Sequence, residues 1–233
     1  MLVGVRVNLR VQRFDPRHDR EPSWARYRIE IPGHQTVLDA LLLVERDLDP
    51  TLAFRRTCRS GICGACAALV NGEPALLCHV LVASLAATPG EGGTESEVVI
   101  EPLPGFRILK DLVVDVEPMV GALGELEAWL VPSERYDGLL MPEVAQRLWS
   151  PAQCVLCGIC AIDSSVGPSV RAPAAIRALR LAHDPRDRVG LGRLERLGQL
   201  GALDGKFADR LRQVCPKAID IRPLLPAGSR SDR

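Results

Sequence analysis

Four cysteines, Cys58, Cys63, Cys66 and Cys78, constrain this chain more than any other feature. Four residues separate the first two, two separate the next pair, and Cys78 follows after eleven more. One tight loop and one strand end therefore gather four thiols, a set that holds two irons and two bridging sulfides with two cysteinates on each iron. Gly61 and Gly64 stand between the thiols. Lacking a Cβ, they let the backbone curl around an inorganic core and turn amide donors toward its sulfurs. The rival readings are a zinc site, although zinc favours paired Cys-x2-Cys knuckles, and reactive free thiols. A second group, Cys154, Cys157 and Cys160 with the distant Cys215-Pro216, uses every remaining cysteine. Three close thiols and a remote Cys-Pro form the ligand set of one 4Fe-4S cubane. A two-cluster domain would place another cysteine four positions after Cys160; that position is Ser164, so the second half is expected to build one cubane.

The rest of the composition narrows the setting. At 233 residues, 47% hydrophobic and 25% charged, the chain suits one large soluble domain or two small ones. Lys+Arg and Asp+Glu both number 29, so no broad basic surface argues for an anionic membrane, and nucleic acid is not an expected partner. Residues 1–13 alternate apolar and polar side chains and lack a signal-peptide core, which points the eight cysteines to a reducing, cytoplasmic compartment. The longest apolar stretch, 75–87, is broken by His79 and Ser84. It falls short of the ~20 residues that cross a bilayer, so no transmembrane segment is expected.

Val5, Val7, Leu9 and Val11 alternate with polar neighbours, as do Ala25, Tyr27, Ile29 and Ile31 after the Asp15-Pro16 turn, which predicts two strands. Thr36 with Asp39 predicts a capping box opening a helix through Val37, Leu38, Leu41 and Leu42, closed at Asp49-Pro50. Residues 67–70 and 73–77 flank Asn71-Gly72, the pair favoured in a type I′ hairpin turn, and the hairpin returns Cys78 to the loop. After a break at 89–94, residues 98–100 predict a last strand and Pro102-Leu103-Pro104-Gly105 a boundary. The periodicity then becomes helical, with helices expected over 109–129, 142–149, 173–183 and 191–203. The expected class is α+β: a β-grasp 2Fe-2S ferredoxin domain over 1–104, then an all-helical, bacterial-ferredoxin-like 4Fe-4S domain over 105–233 with a disordered tail from about 226.

Besides both cysteine groups, the chain carries Val37-Leu38-Asp39-Ala40-Leu41, Asp49-Pro50-Thr51-Leu52-Ala53-Phe54-Arg55-Arg56, Lys110-Asp111-Leu112-Val113-Val114-Asp115, Met141-Pro142-Glu143 and Cys215-Pro216-Lys217. With these segments it resembles the iron-sulfur subunits of succinate dehydrogenase and fumarate reductase. The resemblance implies a first domain facing the flavin of a FAD-bearing partner subunit, where the dicarboxylate chemistry would run, and a helical domain passing electrons toward quinone. It also admits membrane-anchor subunits that would hold the complex at the cytoplasmic face of the inner membrane. Members of that family normally hold a 3Fe-4S cluster as well. Its three cysteines would fall here at Ser164, Gly205 and Leu211, none of them a thiol, so no 3Fe-4S cluster is expected. Residues 161–172 contain no aromatic side chain, unlike the tryptophan-rich segment that lies beside quinone in the family. A changed electron exit, a soluble flavin oxidoreductase with a non-quinone carrier, a free-standing electron carrier and a degenerate structural copy are the alternatives this leaves.

Among the remaining residues, His18, His34 and His183 are expected at surface or packing positions. His79, beside Cys78, could touch the cluster environment. Arg171, Arg177, Arg180, Arg186, Arg188, Arg193 and Arg196 read as a solvated helical face, and Trp24, Trp129 and Trp149 as core. No catalytic triad, paired carboxylates or phosphate-binding glycine loop is present.

Overall fold

The structure, a computed structural model, describes residues 4–85, 97–134, 136, 138–162 and 169–226. Ser164, the break at 89–94 and the tail beyond residue 226 lie outside the described residues. The chain divides into two compact units, Met1–Asp115 and Val116–Arg233.

In the first unit, strands β1 (Gly4–Arg13) and β2 (Ser23–Pro32) pair antiparallel along their whole length. Their alternation drives Val7, Leu9, Val11, Ile29 and Ile31 into the core. Helix α1 (Val37–Asp47) begins at Thr36, whose hydroxyl accepts from the Asp39 N–H while the Asp39 carboxylate accepts from the Thr36 N–H. Two amides at the start of α1 donate outside the helix, Val37 to the Val80 carbonyl (2.8 Å) and Leu38 to the Leu77 carbonyl (3.1 Å). The helix N-terminus is thereby fastened to the backbone on both sides of Cys78.

Strands β3 (Ala67–Val70) and β4 (Glu73–Leu76) form the expected hairpin, with Asn71 and Gly72 both at positive φ, 52° and 81°. Strand β5 (Glu97–Glu101) pairs parallel with β1 and antiparallel with β3. The resulting order is β2-β1-β5-β3-β4. A mixed sheet with α1 after its first hairpin and the cysteine loop before the second is the expected β-grasp arrangement.

The helix expected over 109–129 is two different things. Its first part is a short antiparallel ribbon, β6 (Ile108–Lys110) and β7 (Val113–Val114), and only Glu117–Glu125 is helical, as α2. The cause is Asp111, 2% exposed and at φ 47°. Its carboxylate accepts from Arg13 Nε (3.0 Å), the Phe14 N–H (3.0 Å) and the Ala53 N–H (2.9 Å). These bonds tie the ribbon to the first unit, which therefore runs past Pro104-Gly105 to Asp115.

The second unit holds α2, α3 (Pro142–Ala152), α4 (Ala172–Ala182), α5 (Gly192–Gln199) and α6 (Gly205–Val214). The last was not among the expected helices; its N-cap, Asp204, accepts from the Lys206 N–H at 3.0 Å. Around α4, Ala174, Ile176, Ala178 and Leu179 pack with Leu148, Leu197, Phe207, Leu211 and Ile219. Two expectations fail here. Arg193 is not on a solvated face: it is 1% exposed, paired with Asp187, and donates to the carbonyls of Glu127 and Trp129. The tryptophans are not core, Trp149 being 69% exposed on the outside of α3 while neighbouring Leu148 points inward, and Trp24 lying beneath the Arg10 guanidinium. Trp129 is exposed as well. No helix among the described residues is long and apolar enough to cross a membrane.

Candidate metal centres

None of the eight cysteines is in a disulfide. Cys58, Cys63 and Cys66 lie on a loop made possible by positive φ at Arg59 (55°), Gly61 (67°) and Gly64 (70°). The Leu77 N–H donates to the Cys66 carbonyl and the His79 N–H to the Leu76 carbonyl, which brings Cys78 alongside Cys66. Their sulfurs are 3.3 Å apart. The Cys63 N–H lies 3.4 Å from Cys58 Sγ, so these two residues meet on the same loop. Two irons with two thiolates each need such neighbours. No three His, Cys, Asp or Glu side chains among the described residues converge as the ligands of one ion would.

Backbone amides face these sulfurs. The Ser60, Ile62 and Cys63 N–H groups each lie 3.4 Å from Cys58 Sγ, and the Gly61 N–H lies 3.2 Å from Cys78 Sγ. The Ser60 amide, followed by the Cys63 side chain and the Ile62 amide, pulls the Cys58 thiol down to about 6. Burial instead pushes the Cys66 thiol up to about 12. A positively charged iron core reverses that penalty, because it binds only the thiolate. His79 lies over the loop: a Cβ on Gly61 would stand 1.8 Å from His79 Nε2. The tip of the loop, with Ile62 and Cys63, is exposed.

Cys154, Cys157, Cys160 and Cys215 line one small, nearly closed pocket. Helix α3 stops just before it, and Leu156 and Gly158, at φ 54° and 82°, let the short Cys-x2-Cys-x2-Cys segment wrap. Cys160 sits in a 3-10 turn. Cys215 closes α6, its N–H donating to the Leu211 carbonyl (2.9 Å), and leaves in an extended conformation toward Pro216. Pro173 and Ile176 of α4 with Leu211 and Ile219 form an apolar wall. Burial pushes Cys157 up to about 11, and raises Cys154 and, further, Cys160. A thiol-lined, apolar pocket is a poor place for anions until a cationic core arrives, and so fits a metal-sulfur group.

The structure thus gathers all eight predicted ligands, four in each unit. Two of the three positions assigned to another cluster are filled by packing: Leu211 is 1% exposed and Gly205 is buried at the start of α6. Sequence reasoning missed the role of Asp111, although its segment was noted.

Residues 8–121 match the family described as "2Fe-2S iron-sulfur cluster binding domain". The fumarate reductase iron-sulfur subunit of Haemophilus influenzae is 30% identical, covering 95% of this chain and 91% of the relative. That of Mycobacterium tuberculosis is 31% identical, over 96% and 90%. The chain belongs to the succinate dehydrogenase and fumarate reductase iron-sulfur subunit family. The mitochondrial succinate dehydrogenase [ubiquinone] iron-sulfur subunit of Dictyostelium discoideum is 30% identical, over 92% of this chain and 78% of its own. Among solved structures, a chain of the Mycobacterium smegmatis Sdh1 complex in the apo form superposes with a TM-score of 0.78 at 24% identity, covering 95% of both chains, and shows the same fold. Family membership therefore accounts for the 2Fe-2S domain and for the helical unit that follows it.

Proposed function

We propose that this chain is a two-cluster electron relay within a complex of the succinate dehydrogenase and fumarate reductase type. Cys58, Cys63, Cys66 and Cys78 would hold a 2Fe-2S cluster, and Cys154, Cys157, Cys160 and Cys215 a 4Fe-4S cluster. Such clusters supply one-electron carriage when bound. The observation that carries this reading is the division of the eight thiols into two separate fours, each in a setting that fits a metal-sulfur group. In the first unit the amides of Ser60, Gly61, Ile62 and Cys63 hold negative charge on sulfur. In the second, Ile176 and Leu211 keep water from the sulfurs.

The partner of the first unit would be a FAD-bearing flavoprotein subunit, where the dicarboxylate chemistry belongs. Exposure of Ile62 and Cys63 supports electron exchange at that loop. The packed Leu211 supports a relay that ends at the second site without a 3Fe-4S cluster. It favours, as a second reading, an acceptor other than membrane quinone, with the flavin partner unchanged. The test is anaerobic purification of the native complex, with iron and sulfide counts and EPR of oxidised and reduced states. About six irons per chain and a stoichiometric flavoprotein are expected. A 3Fe-4S signal in the oxidised protein would overturn the two-cluster relay, and absence of any flavin subunit would leave a free-standing carrier.

A further inference from the structure

Three cations beside the first cysteine loop have no carboxylate partner among the described residues. Most arginines of the first unit have one: Arg6, Arg10, Arg13, Arg26, Arg56 and Arg107 are each in an ion pair. Arg59 and Lys110 are in none with a described residue. Arg55 donates through Nη2 to the Val114 carbonyl (3.0 Å), and its Nε has no acceptor. Arg59 is also costly where it stands. It is exposed at φ 55°, a left-handed conformation that glycine adopts freely and a side chain does not. A strained residue whose side chain has no partner within its own chain points to a contact outside it.

These cations line two adjoining grooves of the first unit. One includes Leu42, Leu43, Arg46 and Arg59; the other includes Phe54, Arg55 and Lys110 and reaches Thr57 and Ala65 at the cysteine loop. Arg56 and Glu45 line both and answer each other, and the remaining carboxylate, Asp39, is committed to the start of α1. Each groove thus combines apolar side chains with more positive than negative charge. At the tip of the loop, Ile62 is 68% exposed. An apolar point beside a charged rim is the anatomy of a protein interface, and a rim of one sign selects a partner of the other. We propose that the two grooves receive an acidic segment of the partner subunit, its carboxylates meeting Arg55, Arg59 and Lys110 while Ile62 anchors the contact. The inference rests on the reading of a FAD-bearing partner, and adds the chemistry by which that partner is recognised.

The test titrates the full chain, carrying its iron, with the flavoprotein subunit of the native complex at low and at high salt. Arg59→Gly removes the charge and the backbone penalty together. It should keep full iron and an unfolding midpoint no lower than wild type, yet bind about tenfold more weakly at low salt. Arg59→Glu and Lys110→Glu should bind more weakly still, and all these differences should shrink at high salt. Arg20→Glu makes the same charge change outside both grooves and should bind like wild type. Unchanged binding by both Arg59→Glu and Lys110→Glu overturns the proposal. So does equal weakening by Arg20→Glu, which would report net charge and not a site. Loss of iron in Arg59→Gly would assign this cation to the cluster and overturn the proposal as stated. A wild-type chain with full iron that binds no flavoprotein removes the partner reading and this proposal with it.

Discussion

At the residue scale, two glycines with similar backbone angles have different reasons to be glycine. Gly61 (φ 67°) lies under His79, whereas a Cβ added to Gly72 (φ 81°) would meet nothing within 4 Å. Gly72→Ala therefore meets only the left-handed backbone penalty, about 1–2 kcal/mol, and should keep its full iron. Gly61→Ala adds a collision with the imidazole of His79, an exposed side chain that must swing off the loop carrying the first cysteines, and should lower iron in the first unit. Adding His79→Ala to Gly61→Ala removes the collision but not the backbone penalty, so iron per chain should recover in part; no recovery would show that the imidazole is not the obstacle. Asp111 is a second single-residue constraint. Asp111→Ala strips the N–H groups of Phe14 and Ala53 and Arg13 Nε of their acceptor, and should lower unfolding stability by about 3 kcal/mol or more, measured by denaturant titration.

At the scale of elements, legibility in the sequence followed the range of the interaction that decides each one. Period-two alternation placed β1 and β2, Thr36 and Asp39 placed the start of α1, and Asn71-Gly72 placed a hairpin; all are local signals. The cysteine spacings were equally local, so every thiol of both candidate sites could be named. The ribbon at 108–114 was not legible, because its apolar residues fit a helix and its geometry is set by Asp111 reaching residues 98, 97 and 58 positions away. The exposed tryptophans and buried Arg193 failed for a related reason: residue type alone does not say which side of a strand, turn or helix meets the core. The Arg193–Asp187 pair fastens α5 to the segment at 127–131 and carries a pH signature. Burial alone would raise the Asp187 carboxyl, but Arg193 and the N–H groups of Val131 and Gly190 outweigh it and hold the group below its usual 3.8. A carboxyl depressed by folding stabilises fully above its unfolded value and loses that contribution as pH falls through the folded one. The stability gap between wild type and Asp187→Asn should therefore be full at neutral pH and close only as acid passes below about 4. A gap independent of pH across that range would mean that the pair acts by shape and not by charge.

At the scale of the whole molecule, the two units have their own cores and their own sets of four thiols. Nothing in either ligand set is borrowed from the other: Cys66 and Cys78 are joined through β3 and β4, and Cys154 and Cys215 through α3, α4 and α6. If the two sets hold the proposed clusters, loading should be separable even if electron flow is not. Cys66→Ala leaves Cys78 without its sulfur partner and should lower iron from about six to about four per chain, sparing the second centre. Cys157→Ala opens the buried pocket and should lower iron to about two, sparing the first. EPR of the reduced variants distinguishes this from partial loading, since each should show one complete centre and none of the other. Loss of both centres from either substitution would mean that one cluster is needed to build the other unit, and that the division of the chain at Asp115 is not a division in its folding. Retention of both would remove that cysteine from the ligand set. In the proposed complex, electron transfer from reduced flavin to an external acceptor should fail in both variants, because a relay with two centres needs both, whereas flavin reduction by substrate in the partner should survive.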